Sequence, residues 1–277
     1  MKLTQTSRTF NTVGYGVALL YALTIIVPIS FIVLSAFKDH SDILANPLSL
    51  PTNLSIDNFF EAQERANLLT AMLNTASVII GAEVFNLVFC YVAAYGIARI
   101  KLAESRLVEA VFSAGFLIPA FAIILPVFLL AANLGVLYEP GYLIAFYAVS
   151  RFPLTIVILA SAMRQIPQDF EDSAVIDGAN RLQVIQHVFL PLTRSAVATV
   201  IILNFLYVWN EYLFALILLP GDFKTIQLAV PLLRAERSVD YGLISAGIVI
   251  SLIPIYIIFI IFQESIVKGL TSGGLKG

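Results

Sequence analysis

The polar chemistry of this chain is concentrated in a few places. The longest is residues 172–192, "DSAVIDGANRLQVIQHVFLPL", where Asp172, Asp177, Arg181 and His187 surround a Gly-containing break and precede Pro191. No Gly-x-Ser-x-Gly elbow, His-Glu-x-x-His pair or paired-carboxylate protease signature occurs in the sequence. His40 and His187 offer no metal-ligand spacing. No phosphate loop of the form G-x-x-x-x-G-K-[ST] is present either, and the one Gly-rich run, "GLTSGGLKG" at 269–277, has no Lys-Ser/Thr pair after its glycines. A second cluster is Trp209, Asn210, Glu211 and Tyr212. Aromatic faces beside an amide and a carboxylate suit a polyhydroxylated ligand, and they suit equally an aromatic anchor at a membrane edge. Asn204 and Tyr207 on the same segment, and Arg151, complete the candidate ligand-facing set.

These residues are embedded in a chain that cannot build a water-facing surface. Of 277 residues, 59% are hydrophobic and 12% charged, and the mean hydropathy is +0.91; soluble domains have about 45–50% and about 25%. The net charge of −2 gives no pointer to nucleic acid or any other charged partner. The single cysteine, Cys90, sits in an apolar run and is expected to pack as a hydrophobe. Apolar segments near the ~20 residues a bilayer requires fall at 13–36, 68–98, 107–132, 141–162, 195–219 and 241–263. Pro28, Pro119, Pro126, Pro153 and Pro254 lie within them and are expected to kink packed helices. The first segment is longer than a signal-peptide apolar core and lacks a small-residue cleavage site, so it is expected to be retained.

Six spans place both termini on one side. With the N-terminus inside, Lys2, Arg8, Arg99, Lys101, Arg106, Arg164, Arg181, Arg194, Lys268 and Lys276 are cytoplasmic. Lys38, Arg65, Lys224, Arg234 and Arg237 then lie outside. This ten-to-five bias follows the positive-inside rule and puts residues 163–193 in the cytoplasm. That loop reads as helix, turn, helix. Pro167 suits a first helical position, with Asp169, Glu171 and Asp172 in the opening turns where the helix dipole favours negative charge. Gly178 is placed to end the first helix in a left-handed conformation. Leu182, Ile185, Val188 and Phe189 then form one apolar stripe of a second helix. On composition alone, an amphipathic connector lying on the membrane surface fits as well as a docking element.

The order of residues here resembles the cytoplasmic coupling motif of ABC import permeases: Glu-Ala-Ala, two residues, Asp-Gly-Ala, then nine residues from the Gly to an aliphatic, one more residue, and Leu-Pro. This chain has Asp172-Ser173-Ala174, Asp177-Gly178-Ala179, then Val188, Leu190 and Pro191, with the same count of nine. It departs from the motif by Asp at 172 and Ser at 173, which keep charge sign and small size respectively. "WNEYLFALILL" at 209–219, the ending "GLTSGGLKG" and "LNTASV" at 73–78 extend the resemblance over nearly the whole chain. They narrow it to the carbohydrate-uptake branch, and there to the smaller maltose-type permease subunit.

The resemblance implies an all-α integral membrane fold with six transmembrane helices and a coupling helix between the fourth and fifth spans. It implies a single permease domain over 1–277, in a bacterial or archaeal cell (inner) membrane with both termini cytoplasmic. The function implied is import of a sugar or small oligosaccharide by alternating access, with glycerol phosphate or another small solute as the alternative cargo. The expected partners are a second homologous permease subunit, two nucleotide-binding ATPase subunits, an extracytoplasmic sugar-binding protein and the lipid bilayer. This chain is expected to be no enzyme and to bind no cofactor, with ATP and Mg held on the ATPase subunits. The tail at 269–277 is expected to touch those subunits, and the loop at 220–240 to meet the binding protein. A stand-alone secondary carrier and an intramembrane enzyme are the competing classes. The sequence shows no obvious repeat for the first and no catalytic motif for the second.

Charges within the apolar segments are costly, at least ~2.5–3.5 kcal/mol each on insertion scales, and are expected to face protein or water. By depth, Glu83 is the best-matched partner for Arg151 and Glu211 the second. A pair holding helices in register and an arginine lining the path are both open readings.

Overall fold

Lipid offers the backbone no hydrogen-bonding partner, so a chain this apolar must satisfy its amides within helices or a closed barrel. The computed structural model describes the backbone of residues 3–51, 54–99, 105–234 and 239–274, with side chains over 14–51, 54–99, 107–234 and 239–263. Every regular element among the described residues is helical. In chain order come α1 (Leu3–Ser35), α2 (His40–Ala45), α3 (Asp57–Ala66), α4 (Leu68–Arg99) and α5 (Ser105–Ala114). Two single turns of 3-10 helix, Gly115–Leu117 and Ala120–Ile123, lead to α6 (Ile124–Leu134), α7 (Pro140–Ser150), α8 (Phe152–Arg164) and α9 (Gln168–Ile176). Next is α10 (Arg181–Val184), which continues through a π-helical turn, Ile185–Phe189, into α11 (Leu190–Leu192). The chain ends with α12 (Arg194–Asn210), α13 (Leu213–Leu218), α14 (Ile226–Ala229), a 3-10 turn at Val230–Leu233, and α15 (Tyr241–Gly274).

Three stretches are single helices long and apolar enough to cross a membrane: Gly14–Ser35, Leu68–Arg99 and Tyr241–Gln263. Three bent pairs pass the same test: Leu107–Leu117 with Ala120–Leu134 (93°), Pro140–Ser150 with Phe152–Arg164 (44°), and Arg181–Leu192 with Arg194–Asn210 (79°). The described residues therefore hold three spans, or up to six if each bent pair counts as one. Pro28 and Pro254 sit inside uninterrupted helices. At Pro119, by contrast, the backbone turns extended and the helix breaks. The expected fifth span, 195–219, is also interrupted, because α12 stops at Asn210 and Glu211 is extended before α13 begins.

By internal contacts the chain forms two compact units, Met1–Leu69 with Ala229–Ile253, and Thr70–Leu228 with Pro254–Gly277. In the first unit, Asn58 Nδ2 donates to the carbonyls of Ala36 and Lys38, both at 3.0 Å, and so ties α3 to the end of α1. Gly242 at the start of α15 packs against the same spot: a Cβ there would lie 2.4 Å from the Lys38 carbonyl oxygen. Lys38 is buried, its Nζ held by the carbonyl of Asn46 and the Ser49 hydroxyl at 3.2 and 3.1 Å. Leu19, Leu20, Tyr21 and Ile26 of α1 are exposed, as residues that face lipid should be.

The second unit carries the candidate sites. One of its cores gathers Tyr91, Ala94 and Tyr95 of α4, Leu159, Ala160 and Met163 of α8, Val184, Phe189, and Val200 of α12. Cys90 is a fully buried free thiol. This core sits beneath α9 and α10 and anchors the polar stretch to the apolar helices.

Candidate functional site

The stretch from Gln168 to Leu192 folds as its local signals dictate. Pro167 occupies the cap position, one residue before α9, and Asp169 and Glu171 fill the first turn. Ser173 Oγ donates to the Asp169 carbonyl at 2.7 Å, within the helix. At the other end Gly178 adopts φ +86°. Its N–H donates to the Val175 carbonyl at 3.0 Å and the Ala179 N–H to the Ala174 carbonyl at 2.9 Å. This paired closure needs a left-handed residue, which glycine supplies without a Cβ penalty. Asn180 then starts α10 with a reciprocal cap. Its Oδ1 accepts from the Gln183 N–H at 3.0 Å, while Gln183 Oε1 accepts from the Asn180 N–H at 2.8 Å.

The second helix is anchored differently from the expected stripe. Leu182 is exposed, whereas Val184 and Phe189 are buried, with Ile185 and Val188 half-buried. At about 100° per residue Val184, Ile185, Val188 and Phe189 share one face of this helix and Leu182 lies at its edge, and that face is the one turned to the core; the backbone passes through a π-helical turn at Ile185–Phe189. Around this anchored underside the motif residues face outward. Asp172, Ser173, Asp177 and Gly178 are exposed, and Ala174 and Ala179 half-buried. Beyond them Val175 and Ile176 are apolar yet 58% and 84% exposed. Leu190 and Pro191, the end of the motif, are exposed at the 79° bend into α12.

The element is held from behind by α4. The Tyr95 hydroxyl donates to Glu171 Oε1 at 2.6 Å, and the Tyr91 hydroxyl pairs with Thr193 Oγ1 at 2.6 Å. Arg99 donates to the Ile166 carbonyl, and its guanidinium lies 4.8 Å from the centre of the Phe189 ring.

The charges inside the apolar segments resolve into two separate arrangements. Arg151 lies at the junction of α7 and α8, its Nε donating to Asn204 Oδ1 at 3.1 Å and its guanidinium 4.4 Å from the Tyr207 ring centre. The Asn204 amide in turn reaches Asn86 Oδ1 at 3.4 Å and Thr155 Oγ1 at 3.3 Å, and Asn86 donates to the Ala148 carbonyl at 2.8 Å. Glu83 shares with these residues a cavity of about 10 Å³, and its Oε1 is buried with no hydrogen-bond partner. That volume is about one water. Among the described residues Arg151 forms no ion pair within 4 Å of either expected partner. A neutral amide mediates instead, because Asn204 projects from α12 between Arg151 and Glu83.

Glu211 has another task. Its Oε1 accepts from the Phe214 N–H at 2.9 Å and its Oε2 from the Ala215 N–H at 3.1 Å, which satisfies the open N-terminus of α13. The Tyr147 hydroxyl also donates to it. Beside this break opens a groove of about 380 Å³, lined by Tyr207, Asn210, Glu211 and Tyr212 together with Phe121 and Phe214 among its apolar residues. Trp209 is not among the lining residues; it is buried and stacked on Phe205 with ring centres 5.4 Å apart.

Residues 86–272 match the family described as binding-protein-dependent transport system inner membrane component. The chain belongs to that family. Its similarity to individual permeases covers almost the entire length. It is 31% identical over 272 residues to the diacetylchitobiose uptake system permease protein of Streptomyces coelicolor, covering 97% of this chain and 90% of that one. It is 30% identical to the trehalose transport system permease protein of Mycobacterium tuberculosis, covering 93% of each. A solved bacterial ABC transporter involved in the import of alginate shares the fold at TM-score 0.83 and 22% identity, over 94% of this permease and 97% of that chain.

Of the residues singled out from sequence, the permease brings Asp172, Ser173, Asp177 and Gly178 onto one exposed turn, with Ala174 and Ala179 at its edge. Val188 belongs to its anchored underside. Tyr207, Asn210 and Glu211 share the groove, while Asn204 and Arg151 sit in the buried amide cluster. The sequence reading did not single out Asn86, Thr155, Tyr91, Tyr95 or Tyr147. Only the Asn180-x-x-Gln183 cap carried a local signal that was there to be read. Of the expected ATPase-contacting tail, residues 275–277 lie outside the described residues; the helix backbone reaches Gly274.

Proposed function

We propose that this permease is the membrane-spanning subunit of an ATP-driven importer of a sugar or small oligosaccharide. Residues 168–192 are its joint with a nucleotide-binding subunit. The observation that carries the reading is the exposed turn at 172–179. Its left-handed Gly178 is built to hold that shape, and its apolar tip, Ile176, is 84% exposed. A socket on a partner subunit has a use for an apolar side chain presented on so firmly held a turn. The ATPase is a separate subunit that holds ATP and Mg, since this chain has no phosphate loop. A second homologous permease subunit and two ATPase subunits complete the machine, with an extracytoplasmic binding protein that delivers substrate. The family name and the solved alginate transporter with its alginate-bound periplasmic protein support the last. The Lys/Arg bias supports cytoplasmic termini, and the bacterial sources of the relatives support a bacterial or archaeal cell membrane.

A saccharide fits best as cargo because the relatives are uptake permeases for diacetylchitobiose, for trehalose, and for melibiose, raffinose and stachyose. The groove beside α13 offers a matching surface: the Tyr207 and Tyr212 rings for a pyranose face, and the Asn210 amide for a hydroxyl. Glu211 shapes this surface by capping α13. Trp209 supports it from behind. Arg151 and Asn204 hold the helices that frame it.

The test is a cross-link in membranes containing the whole transporter. Ile176→Cys should trap an ATPase subunit, and uptake of a labelled disaccharide should require ATP. If the cysteine reaches only lipid or the other permease subunit, residues 168–192 are a surface connector and the reading fails.

A further inference from the structure

The coupling element is exposed on one side and packed against α4, α8 and α12 on the other, and its side-chain hydrogen bonds to those helices come from a single stripe of α4. Tyr91, Tyr95 and Arg99 stand four residues apart on the last turns of α4, a spacing that keeps them on one face. Each grips a different part of the element. Arg99 takes its entry, donating to the Ile166 carbonyl and to Gln168 Oε1 at 3.4 Å. Tyr95 takes the first turn of α9 through Glu171 at 2.6 Å. Tyr91 takes the exit at Thr193, whose Oγ1 also donates to the Phe189 carbonyl at 2.8 Å.

Phe189 is the wedge between them. It is fully buried, its ring edge-on to Tyr95 with centres 5.2 Å apart and beneath the Arg99 guanidinium. The Arg99 Nε and Glu171 Oε2 face each other at 3.8 Å, both buried and neither hydrogen-bonded. That pair has room to tighten by most of an ångström before reaching charge-assisted bonding distance.

We propose that the Tyr91–Tyr95–Arg99 stripe, closed around Phe189 and Glu171, is the linkage that delivers displacement of the coupling element to the membrane helix α4. The inference rests on the reading of residues 168–192 as the ATPase joint. It adds which residues on the other side of that joint carry the motion. The exposed residues at 172–179 receive the push, and the stripe passes it on. A rigid element gripped at entry, middle and exit moves with its holder; one gripped at a single point pivots and dissipates the stroke. Tyr91, Tyr95 and Arg99 are positioning residues: none is assigned a contact with nucleotide or substrate.

The experiment uses the assembled transporter with both permease subunits, the ATPase subunits and the binding protein, reconstituted in proteoliposomes. Arg99→Met and Tyr95→Phe are compared with wild type for ATPase subunit retained, ATP hydrolysed and disaccharide moved. Both variants should retain the ATPase subunit at the wild-type ratio. Disaccharide moved per ATP should fall about tenfold in Arg99→Met, the effect of losing one charged hydrogen-bonding group, and less in Tyr95→Phe. Arg99→Lys should recover part of the ratio, which a loss of packing alone would not allow. Tyr95→Phe keeps the ring that packs on Phe189, so it tests the linkage even if Arg99→Met does not assemble. An unchanged ratio with the ATPase bound overturns the linkage and leaves the docking reading standing. Failure of Ile176→Cys, in a protein otherwise unchanged, to capture the ATPase overturns the docking reading, and the linkage with it.

Discussion

Substitutions at Gly178 separate backbone geometry from contact, because an added Cβ there would meet nothing within 4 Å. The penalty is therefore conformational. At φ +86° an L-residue other than Asn or Asp costs roughly 1–2 kcal/mol, a factor of about 5–30 in the population of the turn. Gly178→Asn should be mildest, Gly178→Ala intermediate and Gly178→Pro most severe. Proline's φ is locked near −65°, and it also removes the N–H that donates to Val175 at 3.0 Å. The chain supplies its own control. Gly135 ends α6 at φ +70°, also with open space around it, and the bonds from Gly135 and Val136 to Ala132 and Ala131 close it in the same pattern. Gly135→Ala should lose stability as Gly178→Ala does, yet keep the ATPase subunit bound. The assay is disaccharide uptake normalised to membrane level, with co-purification of the ATPase subunit. Wild-type uptake by a well-inserted Gly178→Pro protein, or equal loss of the ATPase from both alanine variants, would refute the reasoning.

The other substitutions probe the membrane interior. Glu211→Gln keeps one of two acceptor oxygens for the Phe214 and Ala215 amides, so thermal unfolding in detergent should show a loss of about 1 kcal/mol, and Glu211→Ala a larger one. No shift in either would remove Glu211 as the cap of α13. Arg151→Met strands Asn204 Oδ1 and leaves the Glu83 charge unbalanced, so the yield of folded protein should drop and adding Glu83→Met should restore part of it. Absence of rescue would mean that Glu83 is not balanced by Arg151 across the shared cavity. The purified subunit alone should hydrolyse no ATP in a phosphate-release assay; turnover by the isolated chain would contradict the need for a separate ATPase.

The sequence alone was sufficient for everything that depends on local order and composition. The apolar runs determined that the chain crosses a membrane as helices, since lipid excludes other open backbone arrangements. The break at Gly178 followed from one residue's freedom to adopt positive φ. The resemblance of residues 172–191 to an import-permease motif was legible because its parts lie within twenty residues of one another. Tertiary structure decided whatever depends on which helices become neighbours. Arg151 and Glu83 have matching depth, yet depth says nothing about azimuth, and Asn204 from α12 comes between them. Leu182 and Val184 lie on opposite edges of one helical stripe, and the packing against α4 and α8 decided that Val184 is the one buried. Glu211 lines the groove, but that it also accepts from two amides at the break after Asn210 depends on where α12 stops, which its sequence neighbours do not show. Tyr91, Tyr95 and Arg99 read as part of an ordinary span and its basic end. Their role exists only because the polar stretch, some eighty residues later, folds back against that one face of α4, where hydrogen bonds rather than sequence proximity define the site.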